Sequence, residues 1–260
     1  MTSQQVSISS SVPTETVMQP LTLHLTRGVL ASTIDETRDM HNAFVDDGSQ
    51  PGREIARALG DLSHNVYTPA GGVDPALRAQ PGEQLFVDYW AAATGMEMFF
   101  SNPVALRAAD QLFSSREESE WSLAPNGFGF SVPARYGAPR RFVAITRAAI
   151  RSTDEAVPAM GKLISAGLPA ARRRGQISHG LFIRDAGIAN RRPAANTRRA
   201  HRNTVAQSAQ AEVLALDWWS TVDGLAEHYR DATLTGGLPD ALIGPAETAV
   251  WQQESGFSEW

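Results

Sequence analysis

The chain has 260 residues, 42% hydrophobic and 20% charged, with a formal net charge of −5. That composition is ordinary for a soluble globular protein, with room for one large domain or two of about 100–150 residues. No run approaches the ~20 apolar residues of a membrane helix and no basic segment leads into an apolar core. The lack of cysteine excludes disulfides, thiolate metal sites and cysteine nucleophiles.

Residues 1–19 are rich in Ser, Thr and Gln and read as a flexible tail. A first unit follows over 20–124. Leu21–Leu30 alternates like a strand. Ser32 or Thr33 caps a helix with Asp35 and Glu36 in its first turn. That helix runs through Val45, is interrupted at Gly48–Gly52, and resumes over Arg53–Leu59. Leu62–Tyr67 and Gln84–Trp90 are strands separated by a Pro/Gly loop. Thr94–Ser101 and Pro103–Phe113 are helical, and Glu118–Leu123 is a short fourth strand. Residues 125–139 read as a linker, opened by Pro125-Asn-Gly-Phe-Gly129.

Over 140–260 the order restarts. Thr26-Arg27 recurs as Thr146-Arg147, and Ser63-His64 as Ser178-His179. Asp88, Tyr89 and Trp90 recur 129 residues on as Asp217, Trp218 and Trp219, followed in both copies by a glycine (Gly95, Gly224) and a helix. Trp121 recurs as Trp251. Anchors in one register make a tandem duplication. The second copy carries 14 additional residues, placed in an Arg-rich insertion at about 190–210. That insertion lacks interleaved aromatics and the chain is acidic, so it reads as a surface loop and not as a nucleic-acid site.

Each copy reads strand–helix–strand–strand–helix–strand, the split βαβ order of a ferredoxin-like unit. Such a sheet has helices on one face and leaves the other to be covered. The expected fold is therefore α+β: two tandem ferredoxin-like units whose sheets pack face to face as an intramolecular α+β barrel, with a pseudo-twofold axis between them.

His64 and His179 stand at equivalent strand positions, and histidine is the usual general acid or base near neutral pH. Asp88 and Asp217 lie at strand ends beside aromatics, where a carboxylate orients a histidine or, more plainly, makes a turn hydrogen bond. Trp90, Trp219, Tyr89 and Trp218 are aromatic enough to wall a pocket for a flat ligand, or to fill a core. Arg27 and Arg147 need a strand-neighbour carboxylate or an anionic ligand. His24 and His228 have no histidine counterpart in the other copy and break the symmetry. His41 lies on the first helix beside Asn42, and His201 in the insertion. No metal, nucleotide or serine-hydrolase motif occurs.

The pattern Ser-His-x-x-aromatic, a loop, an apolar strand ending Asp-aromatic-Trp, then Gly-Met or Gly-Leu and a helix, resembles the dimeric α+β barrel superfamily. Within it, the chain is similar to antibiotic biosynthesis monooxygenase-type domains, over about Leu21–Leu123 and Arg141–Trp260. The resemblance implies a cytoplasmic, cofactor-independent monooxygenase for an electron-rich, polyketide-type aromatic, with molecular oxygen as co-substrate. His64 or His179 would be the base, Asp88 or Asp217 its orienting partner, and Trp90 and Trp219 the walls. Nucleic acid and membranes are not expected as partners, and oligomerisation is left open. The same superfamily leaves three alternatives: a non-oxidative isomerase, cyclase or dehydratase; a non-catalytic small-molecule-binding protein; and a heme protein with an axial histidine.

Overall fold

The computed structural model describes residues 21–47, 51–125, 129–131, 141–185, 210–231 and 240–260. The expected tail over 1–19, most of the linker, and the Arg-rich insertion up to 209 lie outside the described residues.

The first unit comprises β1 (Thr22–Leu30), α1 (Ile34–Asp46), α2 (Gly52–Ala58), β2 (Asp61–Pro69), β3 (Glu83–Trp90), α3 (Ala93–Ser101), α4 (Pro103–Leu112) and β4 (Phe113–Leu123). A two-residue strand, β5 (Phe130–Ser131), falls inside the expected linker. The second unit comprises β6 (Phe142–Ile150), α5 (Thr153–Arg173), β7 (Gln176–Arg184), β8 (Glu212–Trp219), α6 (Val222–Arg230) and β9 (Leu242–Gln253). Thr33 and Glu36 form a reciprocal capping box at the start of α1. Asn102 caps α4, whose first residue is Pro103. β4 starts five residues earlier than expected, because its charged side chains are paired: Arg116 bridges Asp110 of α4 and Glu118.

The strand order is β4-β1-β3-β2-β9-β6-β8-β7-β5, and β4 also pairs with β7. Each half keeps the ferredoxin-like order, and the two halves join at β2–β9 and β4–β7 to close an eight-stranded barrel. The seams are short: Tyr67, Thr68 and Pro69 face Gln253, Gln252 and Trp251 at one, and Ser122 and Leu123 face Ile183 and Phe182 at the other. Strand alternation sends Leu23, Leu25, Leu85, Val87, Leu214 and Leu216 into the interior, where they form one core with Trp121, Trp218 and Trp251. Helices cover the outside.

Beyond each seam a strap crosses onto the other half. After β9, the backbone of Trp260 exchanges both hydrogen bonds with His64 of β2. After β4, Phe130 of β5 pairs with His179 of β7. Trp260 follows Trp251 by the same interval as Phe130 follows Trp121. The expected linker thus begins with the last piece of the first repeat.

Candidate functional site

Alternation on β3 divides the expected site in two. Phe86, Asp88 and Trp90 face the helices, whereas Leu85, Val87 and Tyr89 face the barrel interior. Their counterparts on β8 divide alike: Asp217 and Trp219 turn to the helices, Trp218 to the interior. His64, His179 and His228 lie on the helix side. Arg27 and Arg147 lie on the barrel side, over Trp251 and Trp121, away from the histidine pocket. Their partners are carboxylates: Arg27 forks onto Glu83, and Arg147 joins Glu212 to Glu117 of the other half.

On the helix side of the first unit, Asp88 Oδ1 accepts from His64 Nδ1 at 2.5 Å, and His24 Nδ1 lies 3.6 Å from Oδ2. His64 Nε2 lies 2.9 Å from His41 Nε2, and His41 Nδ1 lies 3.1 Å from Asn42 Oδ1. Asn42 cannot turn over to suit the ring. Its Nδ2 donates to the Gly256 carbonyl and its Oδ1 accepts from the Ser258 amide, both in the strap. Oδ1 must therefore receive a proton from His41 Nδ1. A neutral His41 then offers only a lone pair at Nε2, and the hydrogen between the rings belongs to His64. His64 thus presents Nε2–H to a neutral imidazole on one side and Nδ1 to the Asp88 carboxyl on the other.

The surrounding electrostatics agree. Burial, with the charge of His64 beside it, lowers the pKa of His41 to about 3, so this ring stays neutral. Burial would raise Asp88, but His64 and His24 outweigh it and hold the carboxyl at about 2. Asp61 is pushed up to about 9 by burial and by the Asp88 charge, and is a neutral acid at pH 7. The second unit supports that assignment. Gln176 occupies the place of Asp61, and its amide donates to Asp217 Oδ1 at 2.5 Å. A protonated Asp61 is the same kind of group in the same place.

Asp217 is more fully satisfied than Asp88. His179 Nδ1 and Gln176 bond its Oδ1, and the Tyr229 hydroxyl donates to Oδ2 at 2.9 Å. Phe100 stands where Tyr229 does and brings no hydroxyl; it stacks on His24 at 3.9 Å instead. Met160 stands where His41 does and packs in an apolar cluster. His228 packs against Trp219 with the rings tilted, and burial lowers its pKa. The Asp88–His64–His41–Asn42 network is described in the first unit.

That network borders a cavity of about 70 Å³ between the sheet and α1, α2, α3 and α4. Phe44, Phe86, Phe99, Phe100 and Phe113 supply its apolar wall, and Ala105, Ala108 and Ala109 form its α4 side. Trp260 closes one end, stacked on His64 at 4.8 Å under the guanidinium of Arg53. A heme would find no free axial nitrogen here, since the ring nitrogens of His41 and His64 are engaged with each other, Asn42 and Asp88, and the cavity, below the ~150 Å³ that admits benzene, would have to widen far more for a macrocycle than for a single ring. Sequence reading missed Asp61 and Trp260 and gave His41 no role. The Asp61–Gln176 and Phe130–Trp260 correspondences were the available signals.

No family model and no curated protein matches the sequence. Solved structures do match. An anthrone oxidase-like protein is 13% identical with a TM-score of 0.56, over 91% of this chain and 92% of that one. The chain has the dimeric α+β barrel fold. A chlorite dismutase from Candidatus Nitrospira defluvii, 10% identical, superposes with a TM-score of 0.52 over 93% of each chain. A candidate monooxygenase from Lactobacillus acidophilus NCFM, also 10% identical, gives 0.51 over 90% of this chain and 94% of that one. In this α+β barrel both halves are supplied by one chain. Among the described residues, no helix is long and apolar enough to cross a membrane.

Proposed function

We propose that this α+β barrel is a cofactor-independent monooxygenase-like enzyme that oxidises an electron-rich hydroxyaromatic in the helix-side cavity of the first unit. The observation that carries this reading is the buried Asp88–His64–His41 network at the base of an aromatic-lined cavity. The likeness to an anthrone oxidase-like protein points the same way, though it bears on the fold alone.

In this reading His64 acts first as a proton donor, whereas the sequence suggested a base. A phenolate oxygen that takes the place of His41 receives the His64 Nε2 proton as a charge-assisted hydrogen bond in a site shielded from water. The bound phenolate passes one electron to oxygen, and the radical pair joins at a ring carbon. The phenol gives its proton to solvent as it binds as phenolate, and the ring peroxide anion takes a proton from His64 to become the hydroperoxide. Its O–O bond then breaks, expelling hydroxide, as the ring C–H bond gives its electron pair to the new carbonyl, and the released C–H proton restores His64. The hydroxide takes up the proton released on binding and leaves as water while the other oxygen stays in the quinone, so phenol plus O₂ gives quinone plus water. A cavity smaller than a single ring requires the α4 wall to move outward when substrate enters, and its alanines offer little to displace.

An oxygen electrode with hydroxynaphthalene and anthrone probes, in the presence of a chelator, tests the proposal. One O₂ consumed per quinone formed is expected, with His64→Gln slowing turnover by about 100-fold or more and His179→Gln by far less. Undiminished turnover under strict anaerobiosis would sink the oxidative reading and favour an isomerase or cyclase in the same cavity.

A further inference from the structure

The barrel interior opens at one end into a second cavity, of about 230 Å³, on the opposite face of the sheet from His64. Its floor is the apolar core contributed by Leu25, Leu85, Ile145 and Leu214. Its two sides are related by the pseudo-twofold axis: Trp121 opposite Trp251, Arg147 opposite Arg27, Glu117 opposite Glu247, and Ser119 opposite Ala249.

The two sides are not finished alike. On the Trp121 side, the indole Nε1 donates to Ser119 Oγ at 2.9 Å, and Glu117 accepts from Arg147 Nη1. On the Trp251 side neither acceptor is in place. Ala249 has no hydroxyl, and Trp251 Nε1 is a buried donor with no partner in a side chain only 1% exposed. Glu247 is exposed and forms no ion pair among the described residues, so it does not close on Arg27 as Glu117 closes on Arg147. Arg27 engages Glu83 through Nε and Nη2 and keeps Nη1 for another acceptor. Arg78 adds an exposed guanidinium at the rim.

An unpaired indole N–H in a buried site is destabilising unless something accepts from it. We propose that the Trp251 side of the barrel mouth binds a small aromatic monocarboxylate. Its carboxylate supplies the two acceptors that Ser119 and Glu117 provide opposite, one oxygen to Trp251 Nε1 and one to Arg27 Nη1. Its ring lies on the apolar floor. The volume suits this class, since a cavity of about 150 Å³ already admits benzene. Glu247 is the charge that opposes binding.

Benzoate titrated into the full-length protein by calorimetry is the test, with benzamide as the uncharged control. Saturable binding is expected, about 10-fold or more weaker for benzamide, weakened to a similar extent by Arg27→Gln and several-fold by Trp251→Phe, and tightened by Glu247→Gln. If Arg27→Gln fails to fold, the exposed pair decides: Arg78→Gln should weaken binding and Glu247→Gln strengthen it. No binding at millimolar benzoate, or affinity indifferent to all four variants, overturns the site. Affinity abolished by His64→Gln and untouched by Glu247→Gln also overturns it, placing the ligand in the other cavity.

Discussion

Asp61 is the residue whose chemistry departs furthest from its sequence context. Beside Gly60 at the start of a strand it reads as a turn residue, yet it is buried against Asp88 and holds its proton. Its pKa is about 9 in the folded chain against an ordinary 3.8, so between those values the folded state keeps a proton that the unfolded state releases. Stability contributed by this group is full below about pH 4 and is lost as pH rises toward 9. His41 acts oppositely. Held at about 3 against 6.5, it lets the unfolded chain bind a proton first as pH falls, so its contribution is lost below pH 6.5. Thermal stability should therefore be nearly level from roughly pH 4 to 6.5 and decline above. Asp61→Asn, which keeps the shape of the neutral acid and cannot ionise, should remove the alkaline decline. Its Tm should match the parent near pH 4 and exceed it by several degrees at pH 8.5, as scanning calorimetry can measure. At this scale the sequence was legible where a residue repeats. The His64–Asp88 and His179–Asp217 pairs stood out by recurrence, and both form. His41 was opaque because it is one polar position on an amphipathic helix, and its meaning comes from a strap more than 200 residues away in sequence.

At the scale of elements, the repeated glycines of α3 and α6 have a steric cause. A Cβ on Gly95 would lie 1.8 Å from the carbonyl oxygen of Leu59, and one on Gly224 1.7 Å from that of Arg174. Each helix presses on the turn that leads into the histidine-bearing strand, and so fixes the entry of β2 or β7. Gly95→Ala and Gly224→Ala should each cost about 3 kcal/mol or more, since backbone must move to relieve the contact. Urea unfolding measures this, and a loss below 1 kcal/mol in either variant would show that the helix simply shifts. The strand and helix assignments were largely readable from alternation and caps. Two errors share a cause. β4 looked short because four of its eleven residues are charged, and residues 125–139 looked like a linker because turn residues open them. Ion pairs and a crossing strap supply what periodicity does not register. The two faces of β3 follow from strand alternation, but the Arg27 and Trp251 site could not be separated from the histidine site until the sheet was closed.

For the whole molecule, closure depends on both halves. The interior core draws Leu23, Leu85 and Trp121 from one unit and Leu214, Trp218 and Trp251 from the other, with the Trp218 indole donating to the Tyr67 hydroxyl between them at 3.1 Å. Either half alone would expose that face. The full chain should unfold in one transition whose midpoint does not change with protein concentration, and a fragment ending at residue 124 should remain associated or unfolded. Chemical denaturation across a hundredfold concentration range, alongside sedimentation of the fragment, checks both outcomes. Fusion has a further consequence for how the two copies can change. In a twofold homodimer every substitution appears twice and must suit its own image across the axis. Here each position is altered once. His41 can face Met160, His24 can face Ala144, and Ser119 can face Ala249, without any gene product having to satisfy the same residue on both sides. The barrel keeps its symmetry as architecture while being free of it as chemistry, so that one copy can hold a charged relay and the other can hold the wall against which it is built.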